Sequence, residues 1–134
     1  MWRPVRALPA ARAARAVVRA MALDVACEMH PLCNLRVLRY LEEELGVGEQ
    51  ARTAWYHHWI RLGFTALEPA VAGPFSAGAQ PSMTDVYLVP QVFNALRFDM
   101  DLAEFPSIAA VYRHAMAHPA FELSRPVPDD SSRS

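Results

Sequence analysis

The sequence contains no lysine, and its charges nearly cancel. All thirteen cationic side chains are arginine, and they stand against fourteen Asp plus Glu residues, which gives a formal net charge of -1. This balance excludes the global positive field with which a protein holds nucleic acid or an acidic membrane. We therefore expect no nucleic-acid partner and no membrane partner.

Cysteine is scarce, with only Cys27 and Cys33, six residues apart. They form neither a disulfide framework nor a CxxC or zinc pattern, so we expect a reducing compartment and predict the cytoplasm. His114 and His118 are four residues apart and could supply two metal ligands from one helix face, but no third ligand is indicated. We expect no metal site.

Long apolar runs are also absent, since none approaches the roughly 18 residues that a transmembrane helix needs. The first twenty residues carry five arginines and no acid, as mitochondrial presequences do. They lack serine, however, and continue directly into a helical pattern. The interpretation as an arginine-bearing exposed helix face is favoured over a presequence.

The 134 residues, 53% of them apolar, are enough for one domain with a sizeable core. Apolar side chains recur with helical spacing, and no segment shows sustained two-residue alternation, so the chain is predicted to be all-α. The predicted helices cover residues 9–29, with a break at His30-Pro31 and a continuation to residue 45, then 49–72, 82–98, 106–118 and one further turn at 120–124. The buried faces are predicted to include Val17 in the first helix and Trp55, Trp59, Leu62 and Ala66 in the second.

A capping motif opens the third long helix. Ser82 stands three residues before Asp85, the spacing at which a serine and an acidic side chain satisfy each other's backbone amides at a helix N-terminus. Because no base is placed nearby, the motif is interpreted as a folding signal and not as a catalytic pair.

Two clusters of polar residues lie within the predicted helices. Gln91, Asn94 and Arg97 are spaced by three and share one side of the third helix, either as a solvated stripe or as an arginine fork for a carboxylate. His30 and Asn34 face the same way after the predicted break, whereas Arg36 points elsewhere. The residues around this break are either ordinary polar residues or ligand contacts, and spacing alone leaves both alternatives open.

Three segments resemble the zeta class of glutathione transferases, the maleylacetoacetate and maleylpyruvate isomerases. They are HPLCNLRVL at residues 30–38, GFTALE at 63–68 following Trp59, and LVPQVFNA at 88–95 followed by Arg97 and Phe98. They occur in the family's order. The resemblance divides the chain into an unmatched segment 1–7, a helical domain 8–124 like the C-terminal domain of these transferases, and a flexible tail 125–134.

The resemblance implies an all-α bundle of the glutathione transferase C-terminal type, without the thioredoxin-like domain that precedes it in the family. It also implies a cytoplasmic enzyme that uses glutathione as its cofactor, because the family adds the glutathione thiolate to a double bond, lets the bond rotate and releases the thiol. A homodimer is compatible with the resemblance.

Residue by residue, the resemblance places His30, Asn34, Leu35 and Arg36 at glutathione-binding positions. It places Arg36 and Arg97 where arginines hold the carboxylates of a small dicarboxylate substrate. Cys33 stands where the family commonly has an amide side chain. No residue of this chain is assigned as catalytic with certainty.

The predicted function is that of the substrate-pocket domain of a glutathione-dependent cis–trans isomerase. Its substrate would be maleylacetoacetate or maleylpyruvate, in aromatic catabolism, and the domain is expected to be inactive without its thioredoxin-like half. Two alternatives remain open: a non-catalytic helical binding module, and a glutathione transferase that conjugates other electrophiles.

Overall fold

The computed structural model describes residues 7–124 and 126. The predicted unmatched segment 1–7, except its last residue, and the predicted flexible tail 125–134, except Pro126, lie outside the described residues. The elements are α1 (Arg12–Leu23), a π-helical segment (Asp24–Met29), α2 (His30–Cys33), α3 (Leu35–Glu43), α4 (Glu49–Leu67), a 3₁₀ turn (Glu68–Ala70), α5 (Met83–Arg97), α6 (Pro106–Met116) and α7 (Pro119–Glu122).

The all-α prediction is confirmed for the described part of the chain. Its only sheet-like pairing is an isolated bridge between Phe75 and Gly78 in the loop before α5. Across residues 7–124 and 126, no helix combines the length and the apolar character that a membrane crossing requires.

The first predicted helix contains an irregularity that the prediction missed. Its last six residues, Asp24–Met29, form a π-helix, which has wider turns than an α-helix. Val25 and Met29 are fully buried there, and Val18 is buried in α1. The prediction that Val17 faces the core was wrong, because this side chain is 53% exposed.

The break after this helix falls four residues later than predicted. The chain stays helical through His30 and Pro31, and it becomes extended at Asn34, where ψ is 158°. Pro31 occupies the first turn of α2, a position where a missing amide hydrogen is tolerated. Asn34 then begins α3 by accepting a hydrogen bond from the Val37 amide over 3.0 Å.

α4 packs against the π-helical segment, α2 and α3, and it ends at Leu67, five residues before the predicted end. A 3₁₀ turn containing Pro69 follows, since proline cannot continue the hydrogen-bond ladder. The buried face of α4 consists of Tyr56, Ile60, Phe64 and Leu67. The predicted burial of Leu62 and Ala66 was wrong, because both are exposed, whereas Trp55 and Trp59 are partly buried against the core.

α5 begins as the capping motif predicts. The buried Asp85 carboxylate accepts hydrogen bonds from the Ser82 amide and hydroxyl, each over 2.8 Å, and from the Ser76 amide over 2.8 Å. The cap therefore also fastens the preceding loop. Pro90 lies within α5 without ending it, and Thr84 donates a hydrogen bond to the Val18 carbonyl over 3.0 Å, which joins α5 to α1.

Candidate functional site

A cavity of about 470 Å³ lies where α2 and the start of α3 face α4 and the C-terminal half of α5. Helix α5 contributes the polar stripe predicted from spacing, and the break at Asn34 turns the chain along the opposite wall. The lining residues are His30, Cys33, Asn34, Leu35, Leu38, Tyr56, Pro90, Gln91, Asn94, Arg97 and Phe98.

The structure therefore brings together two groups of residues that lie more than fifty positions apart in sequence. His30, Asn34 and Leu35 come from α2 and α3, and Arg97 comes from the last turn of α5. Four of the five predicted ligand-binding residues thus line one cavity.

Arg97 contributes a guanidinium group to this lining. It is exposed, and within residues 7–124 it forms no ion pair with a carboxylate. A guanidinium in this state can bind a carboxylate through two parallel hydrogen bonds.

His30 lies half-buried on the facing wall, with its ring centroid 6.2 Å from that of Tyr87. Burial lowers the pKa of His30 because it disfavours the charged imidazolium. The side chain is therefore neutral near pH 7 and can both donate and accept a hydrogen bond.

Asn34 has a structural role in addition to its place in the lining. Its side-chain oxygen accepts from the Val37 amide, and its nitrogen donates to the Pro31 carbonyl over 3.0 Å. With both ends of the side-chain amide engaged, Asn34 fixes the wall between α2 and α3.

Arg36 lies outside the cavity. It is exposed on α3 beside a shallow groove of that helix, which Arg39 and Tyr40 also line. Leu35, 61% exposed, lines both the cavity and the groove, so it connects the two surfaces.

Cys33 is buried in the lining, and its sulfur donates to the Tyr56 carbonyl across 3.8 Å. Burial raises the pKa of the Cys33 thiol to about 12, so the reactive thiolate is scarce at neutral pH. Cys33 is therefore suited to a packing role in the wall and not to that of a nucleophile.

Tyr56 also lines the cavity, although the sequence did not predict it as a site residue. The side chain of Tyr56 is 1% exposed, accepts a hydrogen bond from the Gln91 amide nitrogen over 3.2 Å and stacks on Phe98. Helical spacing within α4 cannot predict that Tyr56 contacts Gln91, because Gln91 belongs to α5.

His114 lies in the last turn of α6, and His118 is the residue that precedes α7. His114 and His118 both contact the ring of Phe75, and His118 accepts a hydrogen bond from the Ala120 amide. Within the described part of the chain, no group of three or more His, Cys, Asp or Glu side chains is arranged to hold a metal ion.

No family model matches the chain. A probable maleylacetoacetate isomerase of Vibrio cholerae is 43% identical over 124 residues, which are 90% of this chain and 58% of that protein. The chain thus spans less than two thirds of the length of this curated relative.

Solved structures agree with the sequence comparison. A maleylpyruvate isomerase, described as a bacterial glutathione transferase of the zeta class, superposes with a TM-score of 0.88 at 41% identity, over 92% of this chain and 61% of that one. The Pseudomonas aeruginosa maleylpyruvate isomerase has a TM-score of 0.86 at 38% identity, over 92% of this chain and 67% of that one.

A third structure, the maleylacetoacetate isomerase of Anaeromyxobacter dehalogenans solved with glutathione in its active site, has a TM-score of 0.83 at 38% identity, over 92% of this chain and 58% of that one. Matches of this identity and coverage establish the family. The chain belongs to the zeta class of glutathione transferases, among the maleylacetoacetate and maleylpyruvate isomerases, and it corresponds to their C-terminal helical domain.

Proposed function

We propose that this chain is the substrate-binding domain of a glutathione-dependent cis–trans isomerase acting on maleylacetoacetate or maleylpyruvate in aromatic catabolism. The observation that carries the proposal is the cavity in which Arg97, free of ion pairs within the described residues, faces His30 and Asn34. A free guanidinium in a concave, partly apolar wall suits a small acid better than a large or neutral ligand.

Arg97 is proposed to hold one carboxylate of the substrate. A carboxylate fixed at one end keeps the double bond in a constant place relative to the attacking group, which is the main contribution of a binding residue to such a reaction. Arg36 is proposed to hold a second carboxylate. A ligand that extends from the cavity past Leu35 enters the groove beside Arg36, because Leu35 lines both.

Glutathione, when bound, supplies the thiol that adds to the double bond and later leaves. The cavity fits this division of labour, because its own thiol, Cys33, has a pKa of about 12 and cannot take that role at neutral pH. His30 and Leu35 are proposed to contact glutathione directly. Asn34 is proposed to shape the site through the backbone that it fixes, since both ends of its side-chain amide are engaged.

The test compares the chain alone with the chain joined to the N-terminal part of its Vibrio cholerae relative. We expect glutathione-dependent isomerisation of maleylacetoacetate by the joined protein and none by the chain alone. Arg97→Ala in the joined protein should lower kcat/KM by about 100-fold, as expected when one partner of a charge-assisted contact is removed.

The matched control is Arg19→Ala, which removes an arginine from the exposed face of α1. It should leave kcat/KM unchanged. Equal effects of the two substitutions would contradict the proposed role of Arg97, and turnover by the chain alone would contradict the proposed need for a second domain.

A homodimer and a cytoplasmic location also remain predictions. Light scattering on the purified chain tests the first, and fractionation of the source cells tests the second.

A further inference from the structure

The deep wall of the cavity contains a pair of buried polar side chains from different helices. Tyr56 of α4 is 1% exposed and Gln91 of α5 is 2% exposed, and both line the cavity. The Gln91 amide nitrogen donates to the Tyr56 hydroxyl oxygen over 3.2 Å. The pair is therefore a built feature of the site and not a mobile surface contact.

The hydrogen bonds of this pair are incomplete. A phenol can accept one hydrogen bond and donate another, and Tyr56 accepts from Gln91. Among the residues that the structure describes, Gln91 is the hydrogen-bond partner of the Tyr56 hydroxyl, and no group accepts the hydroxyl proton in a further hydrogen bond. Buried hydroxyls rarely leave their proton unused, so the pair is suited to a ligand that brings an acceptor.

The Tyr56 hydroxyl keeps its proton at physiological pH. Burial, the main cause, raises the pKa of Tyr56, and the nearby Cys33 thiol raises it further; the Gln91 hydrogen bond and the Arg97 guanidinium oppose the shift without cancelling it. The group is thus a neutral donor close enough to feel the charge of Arg97.

The position of the phenol is fixed. Its ring stacks on that of Phe98 with centroids 4.0 Å apart and an interplanar angle of 11°. A donor held in this way imposes a direction and a distance on its acceptor, which is the property that separates similar ligands from one another.

We propose that Tyr56 is a specificity-determining residue, whose hydroxyl donates a hydrogen bond to the carbonyl oxygen of a keto acid held by its carboxylate at Arg97. A carbonyl fits this wall better than a second carboxylate, because Tyr56 and Gln91 are neutral and a buried carboxylate would need a charged partner. The inference rests on the proposed function, because it assumes that Arg97 binds the carboxylate of the acid. It adds that the wall formed by Tyr56 and Gln91 recognises a carbonyl group.

The test uses the 134-residue chain and two matched pairs of acids. The keto acids 4-oxopentanoate and 5-oxohexanoate are compared with pentanoate and hexanoate, which lack the ketone. Dissociation constants come from NMR titration, with the Arg97 Nε–H and Gln91 side-chain amide signals as reporters. We expect at least one keto acid to bind about tenfold more tightly than its partner, the value of one good hydrogen bond.

Two variants separate hydroxyl chemistry from packing. Tyr56→Phe keeps the ring and its stacking on Phe98, and Tyr56→Phe with Gln91→Leu also removes the amide that would otherwise be left unpaired. In both, the preference for the keto acid should disappear, while binding of pentanoate and hexanoate stays unchanged. Arg97→Ala should weaken all four acids alike.

The failures are distinguishable. If the keto acids lose nothing in either variant, or if all four acids weaken equally, Tyr56 does not read the carbonyl and the inference is overturned. If no acid shifts the Arg97 signal, or if Arg97→Ala leaves the affinity for all four acids unchanged, Arg97 does not bind the carboxylate. The proposed function is then contradicted, and the inference that depends on it is contradicted as well.

Discussion

The ring of Tyr56 lies almost parallel to the ring of Phe98, with 4.0 Å between their centroids. One residue further along α4, His57 donates from Nε2 to the Phe98 carbonyl over 2.6 Å. Helix α4 therefore holds Phe98 by both its side chain and its backbone. Because Phe98 directly follows Arg97, this contact fixes the end of α5 that carries the guanidinium.

We predict that Phe98→Ala lowers the free energy of unfolding by about 2 kcal/mol, since it removes a half-buried aromatic ring and its stacking on Tyr56. Urea denaturation of the purified chain measures the change. Leu96→Ala is the control, because Leu96 is 41% exposed on the same helix and should change the free energy by less than about 0.5 kcal/mol. Equal losses would contradict the role of the stack.

Gly63 allows α4 to approach the π-helix closely. A Cβ atom at this position would lie 2.5 Å from Cγ of the fully buried Met29. Gly63→Ala should therefore destabilise the chain by about 1–3 kcal/mol through overpacking. Thermal denaturation tests this, and in a Met29→Ala background the additional cost should vanish. A cost that persists there would show that the strain comes from another contact.

The N-terminus of α6 is capped by a side chain that is remote in sequence, that of Glu68. The Glu68 carboxylate accepts from the Ser107 amide over 2.6 Å and from the Ile108 amide over 3.0 Å. Glu68→Ala should cost about 1–2 kcal/mol of unfolding free energy, as the loss of a helix cap with its charge does.

The control for this prediction is Glu104→Ala, which removes an exposed ion pair with Arg61. It should cost less than about 1 kcal/mol in the same denaturation experiment. The prediction is contradicted if Glu104→Ala costs as much as Glu68→Ala.

The two cysteines should differ in reactivity. Cys27 is exposed, whereas burial raises the pKa of Cys33 to about 12. At pH 8 we expect iodoacetamide to modify Cys27 at least about a hundredfold faster than Cys33, because the thiolate is the reactive form. Peptide mass spectrometry measures both rates, and the difference should disappear in denaturing urea. Comparable rates in the folded chain would mean that the wall around Cys33 opens readily.

His30 should make stability depend on pH on the acid side. Burial lowers its pKa in the folded chain, so below the usual histidine range the unfolded chain binds a proton that the folded chain does not. The stability contributed by the neutral ring is present above the unfolded pKa and is lost as the pH falls. We expect the unfolding free energy to drop between pH 7 and pH 5 by less in His30→Asn than in the parent chain. His58→Asn, at an exposed position, should leave the drop unchanged.

The sequence predicted α5 well because its signals are local. Ser82 and Asp85 form the cap within one turn, and the polar stripe ending at Arg97 follows from helical spacing alone. Pro90 lies inside the predicted range 82–98, and the helix continues through it.

What could not be predicted depends on contacts between helices. Helical spacing placed His30 and Arg97 in two separate clusters of polar residues. They line one cavity because α2 and α3 lie opposite α5 in the folded chain. The role of Tyr56 in the lining was hidden for the same reason. Its partner Gln91 lies 35 residues away.

The exposed apolar residues show a second limit. Helical periodicity predicts an apolar stripe but not its width, and Val17 and Leu62 lie at its edges, where exposure is decided by the neighbouring helix. The buried residues Met21, Val25 and Met29 follow one another at intervals of four. The wider turn of the π-helix suits such a step better than the 3.6 residues of an α-helix.

The π-helix gives the chain a place where its length can vary. A π-turn accommodates one more residue than the α-turn that it replaces, while the helical segments on either side keep their mutual orientation. Loss of a single residue between Asp24 and Met29 would therefore be absorbed within that turn, without rotating α1 relative to α2. The wall that carries His30 is in this way insulated from the loss of one residue in the π-helical segment, and the cavity would keep its shape.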